Sequence, residues 1–196
     1  MIHLWLEENI IEILGAIAGL VYLYFSVKQL IWLWPLGILT SLLYVYVFYD
    51  SRLFADMSLQ VYYFFISLYG WYFWVSGGSK SETKEKKLKV SRLNFRMLSV
   101  LLFVTFILTI ISGYILINFT GSTLPWWDAF TTSASIVAMW MLARKILENW
   151  LFWVVIDLIS MGIYIYKGLF PTVILFFVYS TVAIVGYFEW RKDLKI

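Results

Sequence analysis

The 196-residue chain contains no cysteine. Disulfides, thiolate nucleophiles and cysteine-based zinc sites are therefore excluded. It holds a single histidine, His3, so no histidine-based metal site is expected. Charge is scarce: Asp, Glu, Lys and Arg make up 14% of the residues. An ordinary soluble domain carries about 25%. What fills the chain instead is hydrocarbon. Hydrophobic residues account for 62% and aromatic ones for 21%, and the mean hydropathy is +0.83. A water-soluble globule of this length cannot hide that much apolar surface. A soluble enzyme, a nucleic-acid reader and a disordered tail are excluded, and no nucleic-acid partner is expected. The net charge of +3 then bears on membrane topology.

A membrane helix needs about 20 mostly apolar residues. Seven candidate spans run roughly over 9–27, 30–49, 53–75, 96–118, 126–143, 148–166 and 169–190. The expected fold is all-α and integral to the membrane, with 1–196 forming one transmembrane domain. The apolar runs are too long for strands and lack the period-two alternation of an outer-membrane barrel. One strongly polar segment, Ser76–Arg96, separates spans three and four, and its run Lys84–Lys89 reads as a solvated loop. Glu7 and Glu8 stand where a signal peptide carries positive charge, so the apolar stretch from Ile10 reads as a mature span.

Seven crossings place the termini on opposite sides. The C-terminal side then holds Lys28, the basic residues between Lys80 and Arg96, Arg144, Lys145, Arg191, Lys192 and Lys195, thirteen of the fifteen Lys and Arg. Arg52 and Lys167 alone fall on the other side. The positive-inside bias assigns the C-terminus to the cytoplasm and the N-terminus to the outside.

The chain also repeats itself. At an offset of 116, Leu53-Phe54 matches Leu169-Phe170, Leu59 matches Leu175, Tyr63 matches Tyr179, Gly70 matches Gly186 and Trp74 matches Trp190. A two-residue loop adjustment sets Trp32 against Trp150, and Glu12 falls near Asp128. Repeat one covers about 9–75, repeat two about 126–190, and span four links them. An even number of crossings between the copies makes the repeats parallel, with a crevice between two similar bundles.

Polar residues inside spans are costly and point to function. In span six Trp153, Asp157, Ser160 and Tyr164 fall at i, i+4, i+7 and i+11, on one face. Asn149 and Trp150 lie one turn earlier, and Trp150 alone also fits an interfacial anchor. Asp157 lies nine residues into the helix, roughly 13 Å deep, where a carboxylate needs a proton or a cation. Asp56, Gln60, Tyr63 and Ser67 make an equivalent stripe in span three. Thr132 and Ser135, with Asp128 nearer the surface, do so in span five. Gly15 and Gly19 suit close helix packing. Indoles beside a carboxylate attract a flat organic cation. Hydroxyls and an amide can hold heteroatoms or a sugar. The expected substrate-binding residues are Gln60, Tyr63, Thr132, Asn149, Trp150, Trp153, Asp157 and Ser160. No phosphate loop or intramembrane basic cluster is present, so no cofactor is expected and an ATP-driven pump is excluded for this chain alone.

At these residues the sequence resembles the Pnu family of bacterial vitamin transporters. The likeness is carried by Leu53-Phe54-Ala55-Asp56-Met57-Ser58-Leu59-Gln60, by Tyr69-Gly70-Trp71-Tyr72-Phe73-Trp74, by Trp127-Asp128 through Met139, and most specifically by Arg144-Lys145-x-x-Glu148-Asn149-Trp150-x-x-Trp153. The resemblance implies a SWEET-like bundle of three plus one plus three helices in the bacterial inner membrane, assembled as a homotrimer. It also implies facilitated diffusion of a small-molecule vitamin, trapped by a cytoplasmic vitamin kinase. Nicotinamide riboside members resemble Trp-x-x-Trp-x-x-x-Asn. This chain ends the pattern on Asp157, similar to members assigned to thiamine, so thiamine is favoured over nicotinamide riboside. Two other readings are a proton-coupled symporter working through Asp157 or Glu12, and a membrane-embedded enzyme acting on lipid. The lack of His and Cys weighs against the enzyme.

Overall fold

The computed structural model describes residues 17–50, 54–77 and 88–195. The start of span one with Glu12 and Gly15, Arg52 and most of the lysine-rich segment lie outside the described residues, as does the side chain of Asp56. Seven helices follow: α1 (Ile17–Val27 as described), α2 (Leu33–Asp50), α3 (Phe54–Ser76), α4 (Phe95–Phe119), α5 (Pro125–Ala143), α6 (Asn149–Tyr166) and α7 (Phe170–Lys192). From α2 onward, each boundary falls within three residues of its expected position.

Local chemistry sets the ends. Asn94 caps α4 by accepting from the Met97 N–H at 2.7 Å. Proline in the first turn starts α5 and α7, where the missing N–H costs nothing. Among the described residues four helices, α2, α4, α6 and α7, are long and apolar enough to cross a membrane. Helices α3 and α5 have 23 and 19 residues, so their length also suffices, but they carry the polar stripes.

Helix α2 packs on α3, α6 on α7 and α4 on α5, while α5 also touches α3 and α6. Helix α4 buries Leu101, Thr105 and Gly113 and exposes Phe103, Phe106, Ile110 and Tyr114. Exposed apolar residues of this size are incompatible with water over so long a face and suit lipid.

Four indoles are the largest side chains of the main core cluster. Trp34, Trp150 and Trp190 are fully buried and Trp74 is nearly so. The Trp34 ring lies on Gly70, and that of Trp150 on Gly186, where a Cβ would come within 2.6 Å of the ring. Only glycine permits either approach. Trp74 stands edge-on to Trp34 at 5.4 Å, and Trp190 edge-on to Trp150 at 5.5 Å. Each of these residues has its counterpart 116 positions on. The expected pairing of Trp32 with Trp150 is thus corrected to Trp34 with Trp150, at the common offset and with no loop adjustment. Trp32 is 64% exposed, so its ring has no such seat. Gln29 and Lys145 obey the same offset, and both adopt left-handed backbone with φ of 52° and 51°.

Candidate functional site

A cavity of about 590 Å³ lies between α1, α2, α3, α5, α6 and α7. None of its lining residues comes from α4. All eight residues expected to bind substrate line it: Gln60 and Tyr63 from α3, Thr132 from α5, and Asn149, Trp150, Trp153, Asp157 and Ser160 from α6. The helical spacing read along α6 therefore corresponds to one real face. Asp128 lies apart from the cavity. It accepts from Ser122 Oγ at 2.5 Å and pairs with Lys167 at 3.9 Å, at the end of the bundle.

The wall is built from both sides. Tyr62 donates to the Ile136 carbonyl at 2.7 Å and ties α3 to α5. Tyr63 shares a side-chain hydrogen bond with Ser135. Tyr22 on α1 reaches Met139 Sδ at 3.7 Å. Asp157 is 4% exposed, and among the described residues it has neither an ion pair nor a hydrogen bond to its carboxylate. Among the described residues it is the one carboxylate in the lining, and none of them in the lining is Lys, Arg or His. A buried charge without a partner is costly, so this carboxylate calls for a proton or a cation.

Three further polar atoms await partners. Among the described residues, Trp150 Nε1, Asn149 Oδ1 and Ser67 Oγ are buried without a hydrogen bond. All three belong to cavity-lining residues. Leaving such an atom unpaired costs about 1–3 kcal/mol, which a ligand with matching donors and acceptors would recover. Asn149 is nevertheless fixed, because its Nδ2 donates to the Ile146 carbonyl at 2.6 Å. Trp150 is only 1% exposed, so it is a core residue facing the cavity and not an interfacial anchor.

The block from Arg144 to Trp153 builds the adjoining end of the bundle. Arg144 lies 4.3 Å over the Phe73 ring and donates to the Tyr69 hydroxyl at 3.0 Å. Lys145 lies 4.3 Å over the Trp74 ring. Glu148 accepts from the Leu93 N–H at 2.9 Å and from Arg92 Nε at 3.3 Å, which docks the segment before α4.

The sequence reading missed the contributions of α1, α2 and α7: Tyr22, Thr40, Ser41, Tyr44, Phe176 and Tyr179 also line the cavity. A signal for several of them was present. Applied to the site, the offset of 116 sets Ser41 on Asp157, Tyr44 on Ser160 and Tyr63 on Tyr179. Among the described residues no cluster of three or more His, Cys, Asp or Glu is placed to hold a metal ion.

An apolar helical exterior around a polar and aromatic cavity of this size defines a membrane carrier for a small organic molecule. The chain belongs to the nicotinamide mononucleotide transporter family, whose model matches residues 9–192. The family is one of membrane vitamin transporters, and the protein is a multi-pass membrane protein. It is 27% identical over 206 residues to the nicotinamide riboside transporter PnuC of Escherichia coli, covering 94% of this chain and 86% of that one. It is 25% identical over 196 residues to the riboflavin/roseoflavin transporter RibM of Streptomyces davaonensis, covering 96% and 91%. The crystal structure of the vitamin B3 transporter PnuC superposes with a TM-score of 0.75 at 22% identity, over 99% of this chain and 86% of that one.

Proposed function

We propose that this protein takes up a vitamin with a cationic ring by facilitated diffusion, and that nicotinamide riboside is its substrate. The observation that carries the reading is Asp157: buried, without an ion pair among the described residues, and set in a cavity with Trp150 and Trp153. A ring cation replaces the missing partner of the carboxylate and gains about 0.5–2 kcal/mol from an indole face. The names of the similar transporters support nicotinamide riboside over thiamine, which the sequence alone favoured. Thiamine is the second reading, supported by the acidic residue that closes the Trp150-x-x-Trp153-x-x-x-Asp157 pattern. Riboflavin has no ring cation, so Asp157 gives it no comparable advantage.

The paired indoles and glycines at one offset support two copies of a three-helix unit, α1–α3 and α5–α7, joined by α4. The grouping of Lys28, Arg144, Lys145 and Lys192 at one end, opposite Lys167, supports a cytoplasmic C-terminus. A homotrimer and a cytoplasmic kinase that traps the vitamin complete the reading, on the strength of the family resemblance.

The test is uptake into vesicles that contain only the purified protein. Labelled nicotinamide riboside should equilibrate and exchange with unlabelled vitamin, without accumulation and without response to a proton gradient. Thiamine should compete more weakly. Accumulation that collapses with an uncoupler would replace diffusion by symport. Thiamine outcompeting nicotinamide riboside would exchange the two substrate readings.

A further inference from the structure

Two indoles cross between the helix groups at the end of the bundle that carries Lys28 and Lys145. Trp74, near the end of α3, donates its Nε1–H to the carbonyl of Ala143, the last residue of α5, at 3.1 Å. Trp190, near the end of α7, donates to the carbonyl of Ser26 on α1 at 3.0 Å. Each indole thus holds the terminal turn of a helix in the other group, and the two rings lie 6.3 Å apart. A polar bridge runs beside them. Lys145 Nζ donates to Gln29 Oε1 at 2.9 Å, and Gln29 Nε2 donates to Asp193 Oδ2 at 2.5 Å. The turn before α2, the turn before α6 and the end of α7 are thereby joined. Gln29 and Lys145 are also the two residues with left-handed backbone outside glycine among the described residues. Such a conformation persists only where its surroundings hold it.

This closure adjoins the cavity: Trp190 donates to the carbonyl of Ser26 and stands edge-on to Trp150, and both of those residues line the cavity. We infer that the crossed pair Trp74 and Trp190, with the Lys145–Gln29–Asp193 bridge, is the gate at this end of the path and is closed in this structure. Because each indole holds the opposite group, separating the groups breaks both hydrogen bonds in one event. The inference rests on the carrier reading and not on the choice of vitamin.

The chain holds no cysteine, so a single introduced thiol reports without background. Thr40→Cys places one in the cavity, and a membrane-impermeant maleimide is applied to either face of oriented vesicles. Trp74→Phe with Trp190→Phe keeps both rings and removes both N–H donors. Labelling from the Lys145 face should then rise roughly thirtyfold, the factor expected from losing two net hydrogen bonds of about 1 kcal/mol each. Labelling from the opposite face should stay as it was. Gln29→Ala, which removes only the polar bridge, should raise the same rate by a smaller factor and serves if the double variant does not fold. Asp128→Asn, at the far end, should leave it unchanged. An unaltered rate at the Lys145 face, or an equal rise from both faces, would overturn the assignment.

Discussion

Replacing Asp157 by Asn separates charge from shape. The side chain keeps its size, and among the described residues no ion pair is broken, because none is formed. The unliganded protein should therefore melt no lower than wild type. Binding should behave in the opposite way. A charge-assisted contact in a buried site contributes about 1.5–3 kcal/mol, so loss of the carboxylate should raise the dissociation constant of a ring cation roughly 10- to 150-fold. The indole contacts of Trp150 and Trp153 remain, so binding should weaken and not vanish. Nicotinamide riboside and its dihydro form make a matched pair, since they share one framework and only the first carries a ring cation. Calorimetry in detergent should show that wild type prefers the cation by about that factor and that Asp157→Asn loses most of the preference. Equal weakening of both ligands, or no weakening of either, would refute the reasoning and make Asp157 a structural residue.

Trp153→Ala should weaken ligand binding with little loss of stability, because that side chain is only partly buried. Trp150→Ala should cost about 3–5 kcal/mol of stability, seen as a lowered melting temperature, because it empties a fully buried site. Gly186→Ala and Gly70→Ala should each lower stability by about 1–3 kcal/mol by overpacking a tryptophan. Only Gly186→Ala should also change ligand affinity, since Trp150 lines the cavity and Trp34 does not; equal affinity in the two variants would count against a ligand role for Trp150. A reporter fused after Ile196 that works only in the cytoplasm should be active, and activity of a periplasmic reporter there would reverse the topology.

The helices were readable because a span of lipid demands a long apolar run, and the breaks between runs are few and polar. The α6 stripe was readable for a related reason. Asp157 and Ser160 are conspicuous in hydrocarbon, and the 3.6-residue period puts them on the face of Trp153. Ser41 and Tyr22 carry no comparable signal. A serine that donates to the carbonyl four residues back, as Ser41 does to Gly37 at 2.5 Å, looks like any serine inside a membrane helix. Each of α1, α2 and α7 adds residues that acquire meaning only once the helices are assembled. Trp34 was passed over for a third reason. Two tryptophans lie two positions apart, and burial, which sequence does not display, decides between them. The hydrogen bonds of Trp74 and Trp190 to opposite helices are legible only in three dimensions.

The two halves of the cavity wall correspond in position but not in chemistry. Gly37 stands where Trp153 does, Ser41 where Asp157 does, and Tyr44 where Ser160 does. A perfectly twofold pocket would accept an elongated ligand equally well in either direction. This wall tells the two ends apart, since one half offers a carboxylate and an indole and the other offers hydroxyls. A bound molecule thus has a head and a tail set by α6 and α2. Its two ends therefore lie across the crevice in one order, one against α6 and the other against α2.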